Sequence, residues 1–217
     1  MGRRITQSQD VVYVVEDDGA ARALVSAIAR SIGLRCEAFA SAYDFLCQCD
    51  ALQPGCLVLD LVMPGLSGLG LQHELILRGV NIPIIFITGH GEVASAVEAM
   101  RRGAVNLLEK PFPNSALIEN IRHAIDLDHR NRRRIDQVDA IREKLGSLTP
   151  REHDVLNQVV SGQPNKIIAH NLKVSQRSVE MHRSRVMEKM GASSVAQLVR
   201  MLMSVESERR EGPPPER

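Results

Sequence analysis

Five short apolar runs alternate with five segments of helical periodicity in residues 10–125, and this alternation most constrains the fold. The runs, rich in β-branched residues that favour strands, are 11–15, 34–38, 56–59, 83–87 and 105–108. The helical segments are 20–32, 42–49, 66–77, 93–102 and 115–125. Such alternation is typical of a parallel sheet covered by helices on both faces. Because crossovers are right-handed, we predict an α/β doubly wound fold with a five-stranded parallel sheet.

The chain changes character after residue 125. Residues 126–146 are dominated by charge but keep apolar residues three and four apart, which predicts a helical linker. Four short helices with tight turns follow in 147–206, the shape of an all-α helix-turn-helix domain. The first of them begins with a capping signature, Thr149-Pro150-Arg151-Glu152. The tail, 207–217, is charged and Pro-rich and is predicted to be disordered.

Charge and cysteine content exclude several classes of protein. Residues 1–125 carry ten basic and thirteen acidic side chains, whereas residues 147–217 carry eleven and eight, which suggests two domains with different partners. No run approaches the roughly 20 apolar residues that span a bilayer, so we expect neither a membrane partner nor secretion. The four cysteines lack zinc or Cys-x-x-Cys spacing, which predicts reduced thiols and a cytoplasmic location.

Polar residues follow four of the predicted strands. They are Glu16, Asp17 and Asp18 after the first, Asp60 after the third, Thr88 after the fourth and Lys110 after the fifth. The carboxyl ends of parallel strands share one edge, where ligands bind, so we expect these side chains to meet. Clustered carboxylates need a cation, and oxygen ligands suit Mg²⁺. With a lysine to meet a phosphoryl oxygen, the pattern predicts phosphoryl transfer onto one carboxylate.

The segments VVYVVEDD, CLVLDLVMPGLSG, IPIIFITGHG and LLEKPF resemble the signature blocks of a response-regulator receiver domain, in family order across residues 11–112. The resemblance implies that a partner histidine kinase phosphorylates Asp60. It also implies that Mg²⁺ is held by Glu16, Asp17 and Asp60 together with the backbone carbonyl of Val62. The acidic pair is Glu-Asp here, where Asp-Asp is common.

The same resemblance assigns the switch positions. Thr88 matches the hydroxyl that moves toward the phosphoryl group, and Lys110 matches the family's lysine, whose bond to Pro111 is expected to be cis. Leu107 stands where the family usually has a rotating Tyr or Phe. Switching is then expected to rest on Thr88, the 89–92 loop and the fourth helix.

Residues 148–202 resemble the LuxR-type helix-turn-helix of NarL/FixJ regulators, most closely the FixJ-like branch. The resemblance makes 175–190 the recognition helix and 195–205 the dimerisation helix. Within the recognition helix, Val179, Val186 and Met190 recur on one face, so we predict that this face packs inward.

The outward side of the recognition helix supplies the candidate DNA contacts. By position, Glu180, Met181 and Ser184 match the base-edge readers, since a glutamate can accept from a cytosine amino group and a methionine can touch a thymine methyl. The expected phosphate contacts are Lys166, Arg177, Arg183 and Lys189. A two-fold dimer then reads an imperfect inverted repeat in double-stranded promoter DNA.

The sequence thus predicts a phosphorylation-controlled transcription regulator of a two-component pathway, active as a homodimer, with RNA polymerase as a further candidate partner. It is not expected to be an enzyme, since the residues beyond 146 carry no catalytic constellation. An alternative keeps the DNA-binding domain but makes the receiver-like domain a protein-docking module that needs no phosphorylation. Leu107 favours this alternative, and a phosphotransfer labelling assay would discriminate between the two.

Overall fold

The computed structural model describes residues 10–48, 52–89 and 93–211. The chain divides into two compact units, Met1–Arg132 and Arg133–Arg217. This division falls inside the segment predicted to be a linker. None of the described helices is both long enough and apolar enough to cross a membrane.

The first unit is built on a parallel sheet, as predicted. Its strands are β1 (Val11–Val15), β2 (Arg35–Phe39), β3 (Gly55–Asp60), β4 (Ile84–Thr88) and β5 (Asn106–Glu109). Its helices are α1 (Gly19–Ser31), α2 (Ala42–Leu46), α3 (Gly68–Leu77), α4 (Val93–Arg101) and the part of α5 (Asn114–Gly146) up to Arg132. The strand order is β2-β1-β3-β4-β5, and every neighbouring pair is parallel. The α/β doubly wound fold is therefore confirmed.

Both faces of the sheet are buried. Successive side chains of a strand point to opposite faces, and in β1 Val11, Tyr13 and Val15 join one apolar cluster while Val12 and Val14 join another. Helices cover both clusters over the central strands β1, β3 and β4, which are buried throughout, whereas the edge strands β2 and β5 are partly exposed. Because the strands are parallel, the residues that follow β1, β3, β4 and β5 lie along one edge.

At the opposite edge of the sheet, α5 is bonded to the start of β3. Asp128 is fully buried, and its Oδ2 accepts hydrogen bonds from the Gly55 N–H at 2.9 Å and from Arg132 Nε at 2.7 Å. A Cβ at Gly55 would lie 1.8 Å from the Val11 carbonyl oxygen, so only glycine fits there. The next residue, Cys56, is also buried, and this burial raises the pKa of its thiol. These contacts place the first part of the predicted linker in the first unit.

The second unit contains four helices after α5. They are α6 (Pro150–Val160), α7 (Asn165–Leu172), α8 (Gln176–Met190) and α9 (Val195–Glu211). Thr149 and Glu152 form the predicted capping box at the start of α6, and Ser175 caps α8 by accepting a hydrogen bond from the Ser178 N–H. Among the described residues, the predicted four-helix arrangement is confirmed.

The end of α5 also packs into this unit. Ile141 and Leu145 contact the apolar cluster that α6, α8 and α9 share, and Lys144 Nζ donates a hydrogen bond to the Met190 carbonyl oxygen at 3.3 Å. That carbonyl lies in the last turn of α8, where backbone acceptors lack intrahelical partners. The second part of the predicted linker therefore belongs to the second unit.

Two predicted boundaries are wrong. The helix predicted over 42–49 ends at Leu46, and residues 49–51 lie outside the described part of the chain. The tail predicted to be disordered from residue 207 begins as helix, because α9 continues to Glu211. Glutamate and arginine are good helix formers, and the Ser207 hydroxyl donates to the Met203 carbonyl within the helix at 2.9 Å. Residues 212–217 are not among those described.

Candidate functional site

Three of the predicted acidic residues meet at the carboxyl edge of the sheet. Glu16 and Asp17 follow β1, and Asp60 ends the neighbouring strand β3. Each offers one carboxylate oxygen, and these oxygens lie within 4.8 Å of one another. Glu16 and Asp60 are buried whereas Asp17 is exposed. An all-oxygen set of this kind fits a hard divalent cation such as Mg²⁺.

Lys110 brings a positive charge to the same cluster. Its Nζ donates hydrogen bonds to Asp60 Oδ2 at 2.7 Å and to Glu16 Oε2 at 2.8 Å. Burial opposes the charged ammonium, but the hydrogen bonds to the two carboxylates outweigh burial and raise the pKa of Lys110. The Lys110–Pro111 peptide bond is cis, as expected. The lysine therefore stays protonated and offsets part of the repulsion between the acids.

Within this cluster, the surroundings disfavour the ionised form of Glu16. Burial, followed by the hydrogen bond and charge of Asp60, raises the pKa of Glu16 to about 7, and Lys110 opposes the shift only in part. Two carboxylates close together in a buried site favour either a shared proton or a bound cation. The site is therefore arranged to accept further positive charge.

The Asp60 carboxylate is held at both oxygens. While Oδ2 accepts from Lys110, Oδ1 accepts a hydrogen bond from the Val62 N–H at 3.0 Å. The Val62 side chain is 58% exposed, so the loop after β3 is open to solvent. Gly68, at the start of α3, lies so close that a Cβ there would be 2.2 Å from the Asp60 carbonyl oxygen. This role of Gly68 was not predicted, although the glycine ends the segment CLVLDLVMPGLSG.

Thr88 ends β4, and Leu107 lies within the neighbouring strand β5, where it pairs with Phe86. Thr88 is 4% exposed, and its hydroxyl donates to the Gly89 carbonyl oxygen at 3.2 Å. Leu107 packs partly buried against the core below α4. It also lines an open groove of about 610 Å³ between α4 and β5, together with Ala96, Val97, Met100, Arg101 and Asn106. Of the predicted switch loop 89–92, residues 90–92 lie outside the described residues.

Arg22 is a site residue that the sequence analysis missed. Its Nη1 donates hydrogen bonds to the backbone carbonyls of Glu16 at 2.6 Å and Asp17 at 3.1 Å, which fixes the acidic loop. The third acid of the loop, Asp18, instead caps α1 by accepting from the Ala21 N–H at 2.7 Å. The sequence did contain a signal for this role, because Arg22 lies in the first turn of the helix that follows the acidic loop.

The exposed side of α8 carries most of the predicted DNA contacts. Val179, Val186 and Met190 are buried, as predicted from their spacing. The opposite side exposes residues three and four apart, which share a helix face. They are Arg177, Glu180, Met181 and Ser184. Lys166 is exposed on α7.

Two predicted phosphate contacts have partners inside the unit. Arg183 is half-buried, and its Nη1 donates to Asn165 Oδ1 at the start of α7 at 3.0 Å. Lys189 Nζ donates to Glu152 Oε2 at 2.7 Å and to the Ser147 carbonyl oxygen at 3.1 Å. Since Glu152 is buried, this ion pair joins α8 to α6. The phosphate contact at Lys189 stays a prediction, and in this structure its ammonium already has two partners inside the unit.

Known proteins combine the same two units. Residues 12–122 match the family "Response regulator receiver domain", and residues 146–202 match "Bacterial regulatory proteins, luxR family". The chain is 41% identical over 202 residues to the "Response regulator protein TmoT" of Ectopseudomonas mendocina, covering 93% of this chain and 92% of that protein. It is 42% identical over 193 residues to the "Transcriptional regulatory protein FixJ" of Rhizobium meliloti (strain 1021), covering 89% and 95%.

A solved structure is similar over nearly the whole chain. The response regulator StyR matches with a TM-score of 0.78 and 37% identity, covering 90% of this chain and 99% of that one. Fold and site together define a two-component transcription regulator with a receiver domain and a DNA-binding domain. The chain belongs to the response-regulator family, in the group with a receiver domain followed by a LuxR-type domain. Receiver domains bind Mg²⁺ at an acidic pocket, and this chain has an acidic cluster of Glu16, Asp17 and Asp60 at the carboxyl edge of its sheet.

Proposed function

We propose that Asp60 is the phosphoacceptor and that a histidine kinase is its donor. The N–P bond of the kinase's phosphohistidine breaks as an O–P bond forms to the Asp60 carboxylate. The observation that carries this proposal is the fixed position of that carboxylate, held by Lys110 at 2.7 Å and by the Val62 N–H at 3.0 Å. A nucleophile that is already oriented avoids an entropic cost in the transition state. Lys110 and Thr88 then bind the phosphoryl oxygens.

The carboxylates of Glu16, Asp17 and Asp60, with the Val62 carbonyl, are the proposed ligands of Mg²⁺. A bound Mg²⁺ supplies positive charge where the phosphoryl oxygens accumulate negative charge. Two observations support the assignment: the carboxylate oxygens lie within 4.8 Å, and the pKa of Glu16 is raised to about 7. Arg22 holds the backbone of the acidic pair in place.

Phosphorylation is proposed to promote a homodimer that binds promoter DNA. On α8, Arg177 and Arg183 contact phosphates, with Lys166 of α7 beside them, and Glu180, Met181 and Ser184 face base edges. The N-terminal part of a recognition helix is the part that enters the major groove, and most of these residues lie there. Dimerisation through α9 is supported by Met203, which is 60% exposed on that helix. RNA polymerase is the proposed partner of the DNA-bound dimer.

The phosphorylation-independent alternative is supported by one observation. Leu107 has no polar group that could hydrogen-bond to Thr88 and move together with it. Its side chain instead packs with the core cluster of the sheet. In this alternative the groove between α4 and β5 binds a protein, and DNA binding does not depend on Asp60.

Replacement of the acceptor tests the proposal. Asp60→Asn removes the nucleophilic oxygen, so we expect no labelling by ³²P-acetyl phosphate with Mg²⁺, or by a phosphorylated kinase. The matched control is Asp18→Asn, because asparagine also caps helices; this variant should be labelled like the wild type. Undiminished labelling of Asp60→Asn would remove Asp60 as the acceptor. Wild-type protein that accepts no label from either donor but binds DNA would support the docking alternative.

A further inference from the structure

The side chain of Gln72 links α3 to the end of α4. Gln72 is 2% exposed, and its Nε2 donates hydrogen bonds to the carbonyl oxygens of Ala99 at 3.3 Å and Arg102 at 3.4 Å. These carbonyls lie in the last turn of α4 and just beyond it, where helix acceptors need donors from outside the helix; the Ala99 carbonyl also accepts from the Ala104 N–H at 3.1 Å. An amide from one helix thus caps another.

The same helix, α3, is fixed to the phosphoacceptor strand. The Gly68 N–H donates to the Leu61 carbonyl oxygen at 3.1 Å, and there is no room for a Cβ between Gly68 and the Asp60 carbonyl. Gln72 lies four residues after Gly68, which places both on one side of α3. A short chain of contacts therefore runs from the backbone of Asp60, through one turn of α3, to the end of α4.

The oxygen of the Gln72 amide indicates that its two N–H donors have a specific role at the end of α4. Gln72 Oε1 is buried and has no hydrogen-bond partner among the described residues. Such an acceptor costs free energy that an apolar side chain of the same size would avoid. An amide at this position is therefore explained by what Nε2 does for α4 and not by packing alone.

The outer side of α4 is the surface that this link would control. Val97 and Met100 are 46% and 44% exposed there, and both line the groove shared with Leu107. On the inner side, Ala99 is fully buried. A displacement at the end of α4 would therefore change the groove, because the helix is packed too closely to move one side alone.

We propose that Gln72 is a positioning residue that couples Asp60 to the groove between α4 and β5. It fixes the carboxyl end of α4 to α3, so that a change at the acceptor site reaches the groove through α3, without an aromatic residue at position 107. The inference rests on the proposed phosphorylation of Asp60. It concerns how that event is transmitted and not whether it occurs.

The test uses the full-length chain and two variants. Gln72→Met keeps the length of the side chain but removes both donors, and Gln72→Glu replaces them with a carboxylate that cannot donate when ionised. Three quantities are measured: ³²P labelling from acetyl phosphate, hydrogen exchange of segment 93–109, and affinity for a DNA duplex. The duplex is one selected from a random pool by acetyl phosphate-treated wild-type protein. Leu75→Val, a core change in α3, is the control for simple loss of stability.

We expect both variants to be labelled within about two-fold of the wild type. The ratio of DNA affinities with and without phosphorylation should fall by about five-fold or more, the lower edge of ordinary coupling between sites. The amides of Gly103 and Ala104, which close the end of α4, should exchange faster. Leu75→Val should lower the melting temperature but leave the affinity ratio unchanged.

Separate results would overturn the two proposals. Normal labelling of the Gln72 variants with an unchanged affinity ratio would overturn the coupling role of Gln72, as would an equal fall of the ratio in Leu75→Val. Loss of labelling in both Gln72 variants would also overturn it, because the residue would then maintain the acceptor site. A wild-type protein that accepts no label would overturn the proposed function, and the coupling role would fall with it.

Discussion

Two charge clusters built on buried acids, one in each unit, differ in their balance of charge. In the first unit Lys110 lies between Glu16 and Asp60, so one positive charge faces two negative charges. In the second unit Lys189 pairs with a single buried acid, Glu152, and the charges balance. The first cluster is suited to bind a cation, whereas the second already contains its cation and holds two helices together.

The Glu152 ion pair should make the stability of the DNA-binding unit depend on pH. The hydrogen bond from Lys189, followed by that from the Thr149 N–H, lowers the pKa of Glu152 to about 2. A glutamate in the unfolded chain titrates near pH 4.3. Since the folded pKa is the lower one, the pair stabilises the unit above about pH 4.3, and this contribution is lost as the pH falls toward 2.

Glu152→Gln tests this dependence, because glutamine can keep the capping bond to Thr149. We expect the variant to unfold at lower urea than the wild type at pH 7, and the difference to shrink between pH 4.5 and pH 2.5. Urea unfolding of residues 133–217, followed by far-UV circular dichroism, measures it. Asp139→Asn is the control, because the Asp139–Arg142 pair is largely exposed and should contribute little. A difference that is constant with pH would contradict the assignment.

Base preference should depend on Glu180. Glu180→Gln replaces an acceptor of the cytosine amino group with an amide that prefers adenine, so we expect a change of about 1–3 kcal/mol at one position of each half-site. Selection from a random duplex pool measures it. The control is Glu188→Gln, an exposed glutamate in the second half of the same helix. Identical selected sequences for Glu180→Gln and the wild type would show that Glu180 does not contact bases.

At the scale of elements, α5 is the feature that a motif scan describes least well. Its first half bonds to the sheet through Asp128, and its last residues pack with the helices of the second unit. A charged segment between two recognisable domains is ordinarily read as a spacer. Here its Asp128 and Ile141 each have tertiary contacts, in different units.

A DNA-binding fragment should therefore start before residue 147. Residues 147–217 lack Ile141 and Leu145, which are partly buried, and Lys144, which bonds to the end of α8. We expect 133–217 to be more stable than 147–217 by about 2 kcal/mol or more, given about 1.5–3 kcal/mol for each fully buried apolar side chain. Both fragments should bind DNA without phosphorylation, and 147–217 more weakly. Equal urea midpoints for the two fragments would show that the end of α5 adds nothing.

Much of the fold was predictable because the period of the apolar residues reports burial directly. The strands were located to within one residue or two, and Val179, Val186 and Met190 were correctly placed inside. The roles of Gln72 and Lys189 were not predictable, because their partners are 27 and 37 residues away in the chain. The periodicity of a sequence predicts which side chains are buried. It does not identify the distant backbone carbonyl or buried acid to which a polar side chain will hydrogen-bond.

At the scale of the whole molecule, the two units differ in their aromatic and cysteine content as well as in charge. Residues 1–132 hold all six Phe and Tyr residues and all four cysteines, and residues 133–217 hold none of either. The two units have separate apolar clusters. Optical signals from tyrosine and phenylalanine side chains therefore report the first unit alone.

Because Cys56 is buried in the sheet, the rate at which its thiol is alkylated measures how often the sheet opens. A thiol with no exposed surface and a raised pKa reacts with an alkylating reagent only when the sheet opens, whereas Cys47 is exposed and reacts at once. We expect pulse alkylation with mass spectrometry to give a fast phase from Cys47 and a far slower one from Cys56. If Mg²⁺ binds the cluster of Glu16, Asp17 and Asp60, the slow phase should lengthen when Mg²⁺ is added, because a ligand that binds only the folded state makes opening rarer. A Cys56 rate equal to that of Cys47 would mean that the centre of the sheet opens freely.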